Sequence, residues 1–114
     1  MAIQFEDINN NLRHITISGR LDILGTDEIS TKFAALSCID NKKVIVDLSA
    51  VSFLASIGIR SIITNAKTLK QRGGRMVLFV GDNAAVSNTL TMTGVEALIP
   101  MFADFVEASE AVLA

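Results

Sequence analysis

Two apolar, β-branched runs bracket the middle of the chain: "KVIVDL" at 43–48 and "RMVLFV" at 75–80. Runs that are apolar at consecutive rather than alternate positions suit strands buried on both faces. Between them, apolar residues fall at 59, 62, 63, 66 and 69, the 3.6-residue stripe of an amphipathic helix over 56–71. Lys67, Lys70 and Arg72 occupy its last turns, where cations complement the helix dipole, and Gly73 and Gly74 end it. A strand–helix–strand unit pairs its strands in parallel through a right-handed crossover. The chain is thereby committed to a sheet with helices packed on it.

The flanking segments extend this unit. Residues 1–8 carry apolar Met1, Ile3 and Phe5 at alternate positions, "NNN" at 9–11 is turn chemistry, and 12–18 resume with Ile15 and Ile17 on one face. An antiparallel hairpin follows. In "GRLDILGTDEIS" the period changes. Thr26 is the expected N-cap of a helix, with Asp27 and Glu28 in its first turn and Ile29, Phe33 and Leu36 on its inner face, ending near Cys38. Asp82 or Asn83 caps a short helix through Leu90, closed near Gly94. "ALIPMF" at 97–102 reads as a last short strand, which Pro100 confines to an edge. Asp104 with Glu107 opens a terminal helix with Phe105, Ala108 and Val112 on one face. The order is ββαβαβαβα. The expected fold is α/β, a mixed, mostly parallel sheet with an N-terminal antiparallel hairpin and about four helices. It is read as a single domain over 1–114.

Composition narrows the function. Ten basic against twelve acidic residues give a net charge of −2, which argues against nucleic-acid binding and against a basic membrane-surface protein. Trp and Tyr are absent, which leaves the six Phe as the only Phe/Tyr/Trp platforms for base or sugar stacking. The lone Cys38 forms no internal disulfide and fits a reducing compartment. The chain opens with no signal-peptide pattern, and no apolar run approaches the roughly 18 residues of a spanning helix. A cytoplasmic protein without direct membrane insertion is expected.

No catalytic constellation stands out. Asp22, Asp47 and Asp82 each follow an expected strand, where acids could hold Mg²⁺, but capping and turn formation explain Asp at such places. His14 has no cysteine or second histidine near it, so it cannot anchor zinc. Neither G-x-G-x-x-G nor Walker A spacing occurs. No enzyme activity, metal or cofactor is expected.

Attention falls instead on "DLSAVSFLASIGIRSII", from Asp47 to Ile63, where Ser56 stands at the mouth of the stretch that becomes a helix. One reading is an N-cap, worth about 1 kcal/mol relative to Ala. The other is functional. A phosphate on Ser56 would sit among the free N–H groups of the helix start and add about −1.5 to −2 charges to a small surface. Gly58, two residues on, would keep the first turn bare for another protein to approach.

The same stretch resembles the signature of the STAS domain, the fold of bacterial anti-sigma factor antagonists. That signature is an apolar strand ending in Asp, a V-x-F/Y-hydrophobic step, and Asp-Ser-Ser/Thr-Gly opening a helix. "ITISGRLDI" is similar to the family's G-x-L-D segment, and "GGRMVLFVGDN" to its G-G-x-hydrophobic strand. The three occur in family order across nearly the whole chain. The resemblance implies the STAS fold and a non-catalytic regulator. In the family, the serine at the position of Ser56 accepts phosphate from an anti-sigma factor with serine kinase activity. The unphosphorylated antagonist binds that factor and frees sigma, the phosphorylated form lets go, and a serine phosphatase resets it. Family position implies a partner surface at Asp22, Thr26, Ser56, Gly58 and Arg60. The sequence departs from the signature at Ala55, where the family has Asp, and at Ile57, where it has Ser or Thr. A STAS domain with an altered or lost switch, or a non-catalytic STAS subunit of a membrane transporter complex, therefore stands beside the antagonist reading.

Overall fold

The sheet is built around one long central strand, β3 (Lys43–Leu54), in a computed structural model that describes residues 3–114. The other strands are β1 (Ile3–Asp7), β2 (Leu12–Leu21), β4 (Arg75–Phe79) and β5 (Met101–Phe102). They lie side by side in chain order, β1 antiparallel to β2 and the rest parallel. The helices are α1 (Ile23–Ser37), α2 (Ser56–Gln71), α3 (Ala84–Met92) and α4 (Phe105–Leu113), with a 3-10 turn at Val95–Ala97. This is the mixed sheet and the ββαβαβαβα order that the sequence implies. The place of Met1 in the first strand lies outside the described residues.

Sequential parallel strands with right-handed crossovers put every crossover helix on the same face. Hence α1, α2 and α3 share one face, and Ile15, Ile17, Val46 and Leu48 of the sheet are buried with Phe33, Ile62, Leu69 and Leu90. Burying each such side chain contributes about 1.5–3 kcal/mol. The opposite face is covered by α4, which is no crossover. There Leu12, Ile45 and Val77 pack with Ala108 and Val112. Among the described residues, no helix is long and apolar enough to cross a membrane.

Four local expectations are corrected. β3 does not stop after Leu48 but runs on to Leu54, paired with β2 through register shifts between Thr16 and Ser18 and between Gly19 and Arg20. Asp47 is therefore a mid-strand residue, not a turn or cap. The last strand is only Met101–Phe102, at the sheet edge and directly after Pro100. The cap of α1 is Asp22, not Thr26: the Asp22 carboxylate accepts from the Gly25 N–H at 2.8 Å. Thr26 lies one helical step before Ile29, Phe33 and Leu36 and is buried with them. Gly25 makes this early start feasible, because a Cβ there would collide with the Arg20 carbonyl oxygen. Finally, Ala55 and not Ser56 occupies the N-cap of α2, and no side chain caps that helix. The remaining caps fall as expected, with Asn83 opening α3 and Asp104 opening α4.

Candidate functional site

α2 begins where β3 ends, against the end of β2. The Ala55 N–H donates to the Leu21 carbonyl at 3.0 Å, which pins the start of the helix to the neighbouring strand. Ser56 is then the first helical residue and is exposed. The first N–H groups of any helix lack intrahelical acceptors. Here no side chain supplies one. Ser56 thus carries a free hydroxyl beside uncapped amides at the positive end of a sixteen-residue helix dipole.

The other expected site residues divide. Arg60, one turn on, is exposed and forms no ion pair among the described residues. It shares a small depression with Ser56. On its other side it lines a larger hollow between α1 and α2, together with Thr26. Asp22 is partly exposed at the start of α1. The Gly25 N–H, with help from Arg20, holds its carboxyl below the ordinary range despite partial desolvation. Gly58 is not part of the surface: it is buried, and a Cβ there would meet the Leu21 and Leu54 side chains at 3.0 Å. Its smallness serves the packing of α2 on the sheet and opens nothing to a partner. Thr26 is 5% exposed, so it floors the hollow rather than projecting from it.

The structure adds residues that the sequence reading passed over. Ile23 and Leu24 are 69% and 75% exposed at the start of α1. Phe53, at the end of β3, is 42% exposed, with the Arg20 guanidinium 4.5 Å from its ring centre. Two adjacent apolar residues outside the stripe of 26, 29, 33 and 36 were the available signal for Ile23 and Leu24. These side chains and Ile57 give the Ser56 end of the molecule an apolar surface with one free cation, the composition of an interface.

The three acids considered for Mg²⁺ have separate employments. Asp22 caps α1, Asp82 lies exposed in a turn, and Asp47 is buried and bonded to His14 and Ser49. No group of three His, Cys, Asp or Glu among the described residues is placed to hold a metal ion.

The sequence profile of the STAS domain matches residues 3–108. The chain belongs to the STAS domain family. Solved structures agree at the level of fold. An anti-sigma factor antagonist from Mycobacterium paratuberculosis superposes with a TM-score of 0.86 at 20% identity, covering 98% of this chain and 93% of that one. The antagonist SpoIIAA in its unphosphorylated form gives 0.75 at 20% identity over 97% and 96%. The murine anion transporter Slc26a9 gives 0.75 at 17% identity over 98% of this chain but only 22% of the transporter. Among curated proteins, none matches the chain in sequence.

Proposed function

We propose that this STAS domain is an anti-sigma factor antagonist: a non-catalytic cytoplasmic protein that binds an anti-sigma factor with serine kinase activity, and that phosphorylation of Ser56 releases. The observation that carries this reading is the exposed Ser56 hydroxyl at the uncapped first position of α2. A kinase can reach that hydroxyl. The helix amides and dipole stabilise a phosphate once attached. The dianion would then lie among Phe53, Ile57 and Arg60, in the surface that the partner covers. Covering a dianion that the single Arg60 cation neutralises only in part costs about 2–5 kcal/mol, roughly 30- to several-thousand-fold in affinity. A phosphatase restores the neutral surface and binding.

Titration of the wild type, Ser56→Ala and Ser56→Asp against the cognate anti-sigma factor tests this. Wild type and Ser56→Ala should bind alike, Ser56→Asp at least about 30-fold more weakly. Equal binding by all three would overturn the reading.

The departures at Ala55 and Ile57, with the STAS region of Slc26a9, favour one other reading: a STAS subunit of a transporter complex. It requires a transporter ATPase, and no serine kinase, to co-purify with the protein from its source cell.

A further inference from the structure

Beside its buried stripe, α2 carries a second one. Ser56, Arg60, Ile63, Lys67 and Lys70 follow one another at alternating steps of four and three, so they share one face of the helix. That face borders a groove on the side of α3 and the 3-10 turn. At its start Ser56, Arg60 and Ile63 lie across from Thr93. Further on, Ile63, Ala66, Lys67 and Lys70 lie across from Leu98 and Ile99. The groove ends between Lys70, Arg75 and Pro100. From Ser56 to Lys70 the helix rises about 21 Å, or about four turns.

Three features point to one kind of partner. First, the groove is basic in an acidic chain. Arg60, Lys67, Lys70 and Arg75 line it and no Asp or Glu does, although acids outnumber bases twelve to ten in the chain. Second, Arg60, Lys67 and Lys70 form no ion pair among the described residues. The helix dipole accounts for cations in the last turns but not for Arg60 in the first half. Third, the surface between these charges is apolar. Ile59, Ile63, Ala66 and Ile99 line the groove, and Leu98 is 63% exposed on its far rim.

We infer that the groove binds an acidic amphipathic helix of a partner protein, laid alongside α2. Ridges of side chains at steps of three and four fit the grooves between such ridges on another helix. The partner's apolar stripe covers Ile63, Ala66 and Leu98, and Glu or Asp flanking that stripe meet Arg60, Lys67 and Lys70. A small anion carries one charge and reaches only one of these cations. A polyanion without an apolar stripe leaves Ile63 and Leu98 uncovered. No aromatic residue lines the groove, so nucleic-acid bases find no stacking platform there. Exposed ion pairs are individually weak, and half-saturation at low salt is expected on the order of 10–100 µM. Docking here uses the flank of α2 and needs no phosphate on Ser56, so it stands or falls apart from the antagonist reading.

The test is a titration of the full chain with a synthetic helical peptide of about 16 residues, followed by fluorescence anisotropy and backbone-amide NMR. The peptide carries Leu along one stripe at steps of three and four, with Glu on both flanks. Its controls are the same peptide with Gln in place of Glu, a scrambled peptide of the same composition, and vesicles of phosphatidylglycerol. The amphipathic peptide should bind saturably, with both peptide controls at least about tenfold weaker. The amides of Ile63, Lys67, Lys70 and Leu98 should shift. Raising salt from about 50 mM to about 500 mM should weaken binding several-fold. Lys67→Gln combined with Lys70→Gln, and separately Leu98→Ser, should each weaken binding about tenfold with Tm within a few degrees of the wild type. The proposal is overturned if the peptide does not bind by about 1 mM, if either peptide control binds as tightly, or if the shifts fall outside the groove. It is overturned equally if either variant binds unimpaired. Vesicles that sediment the protein with the same dependence on Lys67 and Lys70 would show a surface for anions in general, and would also overturn it.

Discussion

Nε2 of His14 lies 2.8 Å from Oδ2 of Asp47, joining β2 to β3 on the sheet face that α4 covers. The other carboxylate oxygen, Oδ1, accepts from the Ser49 N–H at 2.9 Å and from the Ser49 hydroxyl at 2.6 Å. The imidazole packs 4.8 Å from the ring of Phe105, so the pair also helps to seat α4. Burial pushes the Asp47 pKa up, but donation from His14 and Ser49 outweighs it and holds the carboxyl below its ordinary value.

Acid should therefore weaken the fold through Asp47. A carboxyl whose folded pKa is depressed adds stability above its unfolded value of about 3.9, and that stability is lost as pH falls through the lower folded value. Asp47→Asn should reduce stability at pH 7 by about 1–3 kcal/mol and flatten the decline of Tm below about pH 4. Thermal unfolding between pH 2 and pH 7 checks both. An unchanged acid limb in the variant would show that other groups govern it.

The start of α2 gives a second expectation. With Ala55 at the cap and Ser56 one place inside, Ser56→Ala should change stability by less than about 0.5 kcal/mol. Ala55→Asp supplies the missing cap and should add about 1 kcal/mol. Chemical denaturation of both variants decides the matter. A loss of about 1 kcal/mol from Ser56→Ala would mean that its hydroxyl caps the helix after all.

The cap was misplaced for an instructive reason. Ser is a better cap than Ala, and local preference alone puts the helix start at Ser56. What fixes the start is tertiary: the Ala55 N–H is held by Leu21, and Gly58 must press against Leu21 and Leu54. Thr26 was misread in the same way. Its core position was legible in the spacing of 26, 29, 33 and 36, but Thr is also a common cap, and Asp22 with the collision-free Gly25 starts the helix earlier. The large elements were legible because their signals are redundant: a buried run, a helical stripe and terminating glycines all agree over 43–80. The His14–Asp47 bond was not legible. It joins residues on two strands, and only the pairing register brings them together. On the candidate surface, Ser56 and Arg60 lie exposed as expected, whereas Gly58 faces inward.

Gly58 should accordingly act through packing. A Cβ there meets the Leu21 and Leu54 side chains at 3.0 Å and the Leu21 carbonyl oxygen at 3.1 Å, and the backbone carbonyl cannot step aside easily. Gly58→Ala should lose about 1–3 kcal/mol of stability. A melting temperature at or above that of the wild type would show that Leu21 and Leu54 yield to the methyl.

Arg60→Glu should leave Tm within a few degrees of the wild type while weakening the complex with the anti-sigma factor about tenfold, chiefly by slowing association at low salt. Surface plasmon resonance at two ionic strengths measures this. Wild-type association rates at both would move the partner surface away from α2.

The most direct measurement is phosphorylation itself. The protein is incubated with its cognate anti-sigma factor kinase and ATP, digested with trypsin, and the peptide 44–60 fragmented in the mass spectrometer. That peptide contains Ser49, Ser52 and Ser56. The expected result is a single phosphate, with fragment ions assigning it to Ser56, and release of the modified protein from the kinase. An unmodified peptide, or a phosphate on Ser49 or Ser52, would contradict the assignment of Ser56 as the switch.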